Sequence, residues 1–486
     1  MGINTVKYLL SALLLLGSLT AFSFEHPRRH MLPQSISSKR AAAAKRAQSY
    51  TGEKRQLVVL ASFSDLDFES EDPLAFWHQI FNQPNFHESP FHGSVHDYFY
   101  DQSYGKFDLQ FDLHAIKVDT VHAIYHSTND DDANAALLLL ALADSLKNIV
   151  TDWAPYDWDE DGYIDQILVL YAGLGQNDGG DRTTIWAHQA SLISYNQTPV
   201  TVISDKKEYT IDHYGFLPEK GKTSATFGTF CHEFGHCLGL PDFYYGSNIS
   251  TVKEWDIMDC GNYNEGGYLP PCYSAHERML MGWLDIKELT EPASITDMPA
   301  LNDEPVAYMI RNDNYPNEYY ILENRQKQGW DGSLPGSGLV IFHVDYDEEL
   351  WKRGIPNTYM DNHYTIFPAN GMNYSSFNSG WAYPYGAKDS LTNNSYPAAT
   401  LRHAAQDNTK LMSKPITNIH VSDGLVSFDF MGGEGSLTAI QPKAQNQNPQ
   451  TKTYYDLYGR QVPRQSLKSG IYIFRGTTGT GRLIHK

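Results

Sequence analysis

The residues best suited to chemistry lie in Phe230-Cys-His-Glu-Phe-Gly-His-Cys-Leu-Gly-Leu-Pro-Asp242. On a helix, His232 and His236 stand one turn apart on the same face, so their imidazoles can share one ion. Glu233 can then reach a water in the ion's open position and serve as general base. Gly239 lies where a helix can break through a left-handed turn. Leu240-Pro241 then redirects the chain and brings Asp242 round as a third ligand. Two neutral imidazoles and one carboxylate make a centre one unit less positive than three imidazoles. Its water is less acidified, which puts more weight on Glu233. The expected chemistry is metal-assisted hydrolysis: zinc polarises a carbonyl and acidifies a water, and Glu233 takes the proton and passes it to the leaving group. Tyr263 and Tyr273 are candidate hydrogen-bond donors to the developing oxyanion, by position alone.

Glu254 is a rival third ligand, at a spacing that suits a carboxylate on a later helix. Asp242 is preferred because the rival gives Gly239 and Met258 no role. Met258, in Glu254-Trp-Asp-Ile-Met-Asp259, is expected to form an apolar floor under the ion without binding it.

A second cation candidate is Asp157-Trp-Asp159-Glu-Asp161-Gly162-Tyr163-Ile-Asp165, which matches D-x-D-x-D-G, the first half of an EF-hand loop. Asp157, Asp159, Asp161, the Tyr163 carbonyl and Asp165 would bind a structural calcium. Leu168 stands where the full loop has its bidentate Glu, and strand residues follow in place of a helix. His188 is expected to be structural or at a second metal site. Cys231, Cys237, Cys260 and Cys272 are the only cysteines. One or two disulfides locking the metal helix to the Met258 region are expected, pairing open, with buried thiols as the alternative.

These residues need elements to hold them. With 486 residues the chain exceeds one compact core, and two or three domains are expected. Hydrophobic residues at 41% and aromatics at 13% exclude a wholly disordered chain. A balance of 37 Lys+Arg against 57 Asp+Glu, formally −20, argues against nucleic-acid binding. Lys7, the apolar run Tyr8 to Gly17 and Ala21-Phe22-Ser23 have the order of a secretory signal peptide, so residues 1–23 are set aside. No later apolar run approaches the ~20 residues of a membrane span. Residues 24–55, with Arg28-Arg29, Lys39-Arg40, Lys45-Arg46 and Lys54-Arg55, read as a pro-segment or basic arm with dibasic cut sites.

Gln56–Phe63 reads as a buried strand, Ser94–Asp101 as a helix, Lys106–Leu113 as a half-buried strand and Asp132–Val150 as a long helix. Tyr163–Gly173 contains a further strand, and Thr223–Leu240 carries the central helix. Helical signals fade from about residue 286; Tyr319–Glu323 and Gly338–Asp345 look like strands and Val421–Phe430 like a closing hairpin. The expected organisation is a catalytic α/β domain at 56–285, a β-rich domain or cap at 286–432, a polar linker at 433–452 and a tail with two strand signals at 453–486.

The spacing H-E-x-x-H-x-x-G-x-x-D follows the metzincin template with Asp242 in place of the third His and Met258 at its Met-turn. The chain resembles the immune inhibitor A family of secreted bacterial zinc metallopeptidases. The likeness extends to Gly93–Phe99 with Ser103-Tyr-Gly105, Asp157–Asp165 with Tyr171-Ala-Gly173, Ile185-Trp-Ala-His188, Trp255-Asp-Ile-Met258, Glu323-Asn-Arg325 and Gly338–Asp345. The resemblance implies an α/β metzincin-like zinc peptidase domain followed by a β-rich domain and a short C-terminal β tail. It implies zinc endopeptidase activity on proteins or peptides, with His232, His236 and Asp242 as ligands, Glu233 as base and calcium as stabiliser. A secreted or cell-surface monomer is expected. The tail Tyr454–Arg460 to Gly470–Phe474 is similar to the final motif of type IX sorting domains, which implies outer-membrane export, with a small β adhesion tag as the alternative.

Overall fold

The structure is a computed structural model that describes residues 50–128, 132–246, 249–373, 375–433, 436–438, 453–455, 461–462, 470–476 and 479–485. The leader at 1–23, residues 24–49 of the basic arm and most of the 433–452 linker lie outside the described residues.

The apolar run at Gln56 forms β1 (Gly52–Ser62), and the alternating run Phe107–Lys117 forms β2, parallel to it. β1 starts inside the stretch expected as pro-segment. Arg55 Nε donates to Asp112 Oδ2 at 2.7 Å, and Lys54 Nζ to the Trp158 carbonyl at 3.2 Å. The Lys54-Arg55 pair, expected as a cut site, is therefore built into the sheet.

β3 (Ile167–Leu174), β4 (His188–Ser191), β5 (Val200–Ser204), β6 (Lys207–Ile211) and β7 (His213–Lys220) follow. One sheet has the order β2-β1-β3-β7-β4, parallel except at its edge, where β4 runs antiparallel to β7. β5 and β6 pair apart from it as a hairpin. Successive side chains on a strand point to opposite faces. Val58, Leu60, Leu168 and Leu170 thus enter one core with the helices Val95–Gln102 and Thr226–Cys237, while Leu57, Val59, Val169 and Phe216 enter another with the helix Ala133–Ile149. Both faces are covered, which is why β1 from Leu57 to Ala61 and β3 from Ile167 to Ala172 are apolar without interruption. The helix Ala133–Ile149 buries Ala135, Leu138, Leu139, Leu142 and Leu146, the three-and-four spacing of a one-sided helix. Ser94 starts the helix Val95–Gln102 with a capping box completed by Asp97.

Beyond residue 285, strands Lys287–Glu288, Tyr308–Asn312, Tyr315–Arg325, Gly338–Asp345 and Tyr364–Ile366 form a second sheet in that order. Ile321, Val340, Phe342 and Tyr364 on one face join the core that holds the helix Thr226–Cys237. Tyr320, Leu322, Leu339 and Ile341 on the other face pack with Ile295, Ile416, Val426 and Phe428 of a four-stranded sheet. One apolar core therefore runs across the boundary expected at 285/286. The described residues up to Thr438 make one compact unit. A second unit carries the tail, where Thr453–Tyr455, Gln461–Val462, Gly470–Gly476 and Gly479–His485 form an antiparallel sheet. Among the described residues no helix is long and apolar enough to cross a membrane.

Candidate metal centre

The helix Thr226–Cys237 lies almost wholly buried, with Phe227, Phe230 and Phe234 in the core beneath β1 and β2. This seating fixes the azimuth of the opposite face, where His232 and His236 stand with ring centroids 4.8 Å apart. The helix ends as the sequence requires. Gly239 adopts φ +90°, its N–H donates to the His236 carbonyl at 2.9 Å, and the Leu240 N–H donates to the Gly235 carbonyl at 3.0 Å. The reversed chain brings Asp242 back over the histidines. His232 Nε2 and His236 Nε2 lie 3.2 and 3.3 Å from Asp242 Oδ1. All three donors fall within 4.8 Å of one another.

The outer nitrogens settle which atoms face inward. His232 Nδ1 lies 2.7 Å from the Ile257 carbonyl and His236 Nδ1 lies 2.8 Å from the Leu240 carbonyl. A carbonyl only accepts, so each Nδ1 carries a proton, and in the neutral imidazole each Nε2 turns a lone pair inward. Asp242 Oδ1 is buried and accepts no well-formed hydrogen bond. Two imidazole lone pairs and an unsatisfied carboxylate oxygen make a three-donor set that fits zinc with one position left open. Burial pulls the His236 pKa down, but the Asp242 carboxylate outweighs it and lifts the imidazole to about 9. Burial alone would raise Asp242; the two imidazoles hold it far below the usual carboxylate range. The pocket's field thus strongly favours positive charge.

Glu233 is buried on the same helix, and its negative charge acts on His236, Tyr244 and Tyr263. Met258 is fully buried against the helix at Gly235, where an added Cβ would meet its Sδ at 2.7 Å. Glu254 stands outside the donor group: burial raises its pKa, and it accepts a short bond from the Asn378 amide. Tyr273 is fully buried and its hydroxyl donates to the Cys231 carbonyl at 2.8 Å, so it is no oxyanion donor. Tyr263 is half-buried in the field of Glu233 and keeps that candidacy. None of the four cysteines is in a disulfide. The Cys272 thiol donates instead to Asn302 Oδ1 at 3.0 Å, and Cys260 Sγ lies 3.7 Å from the Ser250 hydroxyl.

At the second cation candidate, Asp157, Asp159 and Asp165 come together, and Asp161 is not part of the group. Asp161 Oδ1 accepts the Tyr163 N–H at 2.8 Å, and the Gly162 N–H donates to Asp157 Oδ2 at 3.1 Å, which tightens the turn. Lys207 Nζ also reaches Asp157 Oδ2 at 3.1 Å, a partner on β6 that loop spacing does not announce. His188 is buried on β4, with Nδ1 2.7 Å from the Trp186 carbonyl.

Residues 53–278 match the immune inhibitor A peptidase M6 catalytic domain. The chain is similar to the pre-pro-metalloprotease PrtV of Vibrio cholerae serotype O1 (strain M66-2), 24% identical over 209 residues, 40% of this chain and 22% of the relative. It is similar to immune inhibitor A of Bacillus thuringiensis subsp. alesti, 32% identical over 118 residues, 21% of this chain and 16% of the relative. The alignments span about a fifth of the length of these curated relatives. Among solved structures, OgpA from Akkermansia muciniphila aligns with a TM-score of 0.28 and 11% identity, covering 65% of this chain and 91% of that one.

Proposed function

We propose, from the match of residues 53–278 to the immune inhibitor A peptidase M6 catalytic domain, that the protein is a secreted zinc-dependent endopeptidase that hydrolyses peptide bonds in proteins. The observation that carries this reading is the convergence of His232 Nε2, His236 Nε2 and Asp242 Oδ1, with both outer nitrogens committed to carbonyls. His232, His236 and Asp242 hold the ion, and Met258 packs beneath without binding it. Zinc bound there supplies Lewis acidity towards a water and the scissile carbonyl. Glu233 accepts the proton of the attacking water and returns it to the amide nitrogen as the C–N bond breaks. Tyr263 donates to the oxygen on which negative charge develops.

Asp157, Asp159 and Asp165 hold a structural calcium, supported by their mutual approach and by the Gly162 turn between them. The leader at 1–23 supports export, and the strands of the tail suit a sorting module.

The test is casein cleavage by wild type and Glu233→Ala, each with zinc content confirmed. Loss of a general base costs ~10² to 10⁴-fold in rate. Equal cleavage by both proteins removes Glu233 from the mechanism, and activity that survives thorough zinc removal removes the metal.

A further inference from the structure

Asp242 is the donor least supported by its own element. His232 and His236 ride on a seated helix, while Asp242 follows the Gly239 turn in a stretch without helix or strand before Tyr244. Holding a carboxylate on such a stretch costs conformational entropy unless the backbone beside it is fixed. The backbone beside it is fixed at the next residue. The Phe243 N–H donates to the Met258 carbonyl at 2.9 Å. The Phe243 carbonyl accepts from Asn357 Nδ2 at 2.9 Å and from the Thr251 hydroxyl at 3.1 Å. The Phe243 ring stacks on Tyr364 with centroids 3.8 Å apart.

Asn357 is itself immobilised. It is fully buried, and its Oδ1 accepts from the backbone N–H groups of His363 and Tyr364 at 2.8 and 2.9 Å. The two Nδ2 protons are shared among the Phe243 carbonyl, the Tyr364 carbonyl and Thr251 Oγ1. The turn it sits in is closed by Thr358 N–H to the Asp361 carbonyl at 2.7 Å and His363 N–H to the Pro356 carbonyl at 3.0 Å. The Tyr364 hydroxyl reaches Asp256 Oδ2 at 3.2 Å, which ties the same strand to the turn that carries Met258.

We propose that Asn357 is a positioning residue for the third metal ligand: through the Phe243 carbonyl it holds Asp242 where the two histidines can share an ion with it. The inference rests on the zinc reading above and goes beyond it, because Asn357 lies outside the matched 53–278 segment. The β-rich part then contributes directly to metal affinity.

The test uses the full chain. Zinc affinity is measured by competition with a chromophoric chelator for wild type, Asn357→Ala, Thr251→Val and Asp242→Ala, and melting is followed with EDTA and with zinc. Loss of a group that orients a metal ligand costs ~10 to 100-fold in affinity. Asn357→Ala should fall in that range and Thr251→Val should lose less, in the same direction. In Asn357→Ala the rise in Tm on adding zinc should shrink. A merely structural role lowers both melting points together and leaves affinity alone. If Asn357→Ala does not fold in EDTA by circular dichroism, Thr251→Val decides. Wild-type affinity in the deciding variant, beside a weak Asp242→Ala, overturns the positioning role and leaves the ligand set standing. Wild-type affinity in Asp242→Ala overturns the ligand assignment, and this inference with it.

Discussion

Gly228 lies on the metal helix one turn before His232, and its lack of a side chain sets how closely that helix can sit. A methyl group there would come to 1.9 Å from the Asn262 carbonyl oxygen and 3.1 Å from that of Gly267. Both obstacles are backbone, so no rotamer change relieves the clash. Non-bonded heavy atoms rest ~3.5 Å apart, so the helix or the 261–267 segment must retreat by on the order of 1 Å or more. Alanine recovers up to about 1 kcal/mol of helix propensity. Overpacking costs about 1–3 kcal/mol, and backbone obstacles put this site towards the upper end. Gly228→Ala should therefore lose about 1–2 kcal/mol net, a fall in Tm of roughly 1–3 °C for a unit of this size. The retreat also carries His232 and Glu233, and a misplacement of about 1 Å can cost ~10²-fold in rate. Melting curves and kcat/KM of the zinc-loaded variant on a quenched peptide measure the two effects separately. An unchanged Tm together with kcat/KM within twofold of wild type would refute the claim that this seam sets the catalytic geometry.

His276 is fully buried against the rings of Tyr319, Tyr346, Trp351 and Tyr364, and burial holds its pKa down at about 3. A depressed folded-state pKa gives stability that is whole above the unfolded value near 6.5 and drains as pH falls towards 3. His276→Phe removes that titration. Relative to wild type it should gain roughly 3 kcal/mol between pH 7 and pH 4, at about 1.4 kcal/mol per pH unit. Urea midpoints at the two pH values measure the gain, and parallel pH profiles refute it. At the second cation candidate, calcium at a hundred times its dissociation constant should stabilise the wild type by about 2.7 kcal/mol. Asp159→Asn should abolish most of that rise in Tm, whereas equal calcium shifts in the two proteins would exclude the site.

The parts of the site that were legible in the sequence are those set by local covalent spacing. Two histidines four apart must share a helix face, and Gly239 must open a left-handed turn, so the approach of Asp242 could be foreseen from thirteen consecutive residues. β1, β3 and the helix Ala133–Ile149 were legible because burial on one or both faces writes a periodic apolar pattern. β4 and β6 were not foreseen, since His188–Ser191 and Lys207–Ile211 are short, mostly polar and owe their pairing to neighbours. The helix Pro73–Asn82 was likewise missed, although Asp72 caps it. Asn357 gave no signal at all. A lone Asn in a loop is ordinary, and its partner Phe243 is 114 residues away. The clustering of the cysteines suggests crosslinks, but all four are free thiols, with Cys272 bonded to the Asn302 amide oxygen and Cys260 beside the Ser250 hydroxyl. Lys207 beside Asp157 shows the same limit, because long-range charge pairing has no local period.

The core shared across residue 285 also governs timing. Trp330 stacks on Phe227 of the metal helix with centroids 5.8 Å apart and donates its indole N–H to Asp101 at 2.9 Å. During synthesis at ~5–20 residues per second, Trp330 follows His232 from the ribosome by roughly 5–20 s, and Asn357 comes later still. Throughout that interval the nascent chain has its metal motif without the aromatic floor or the amide that steadies the third ligand. On the proposed reading, the packing that steadies the metal ligands is therefore complete only once the C-terminal half has been made.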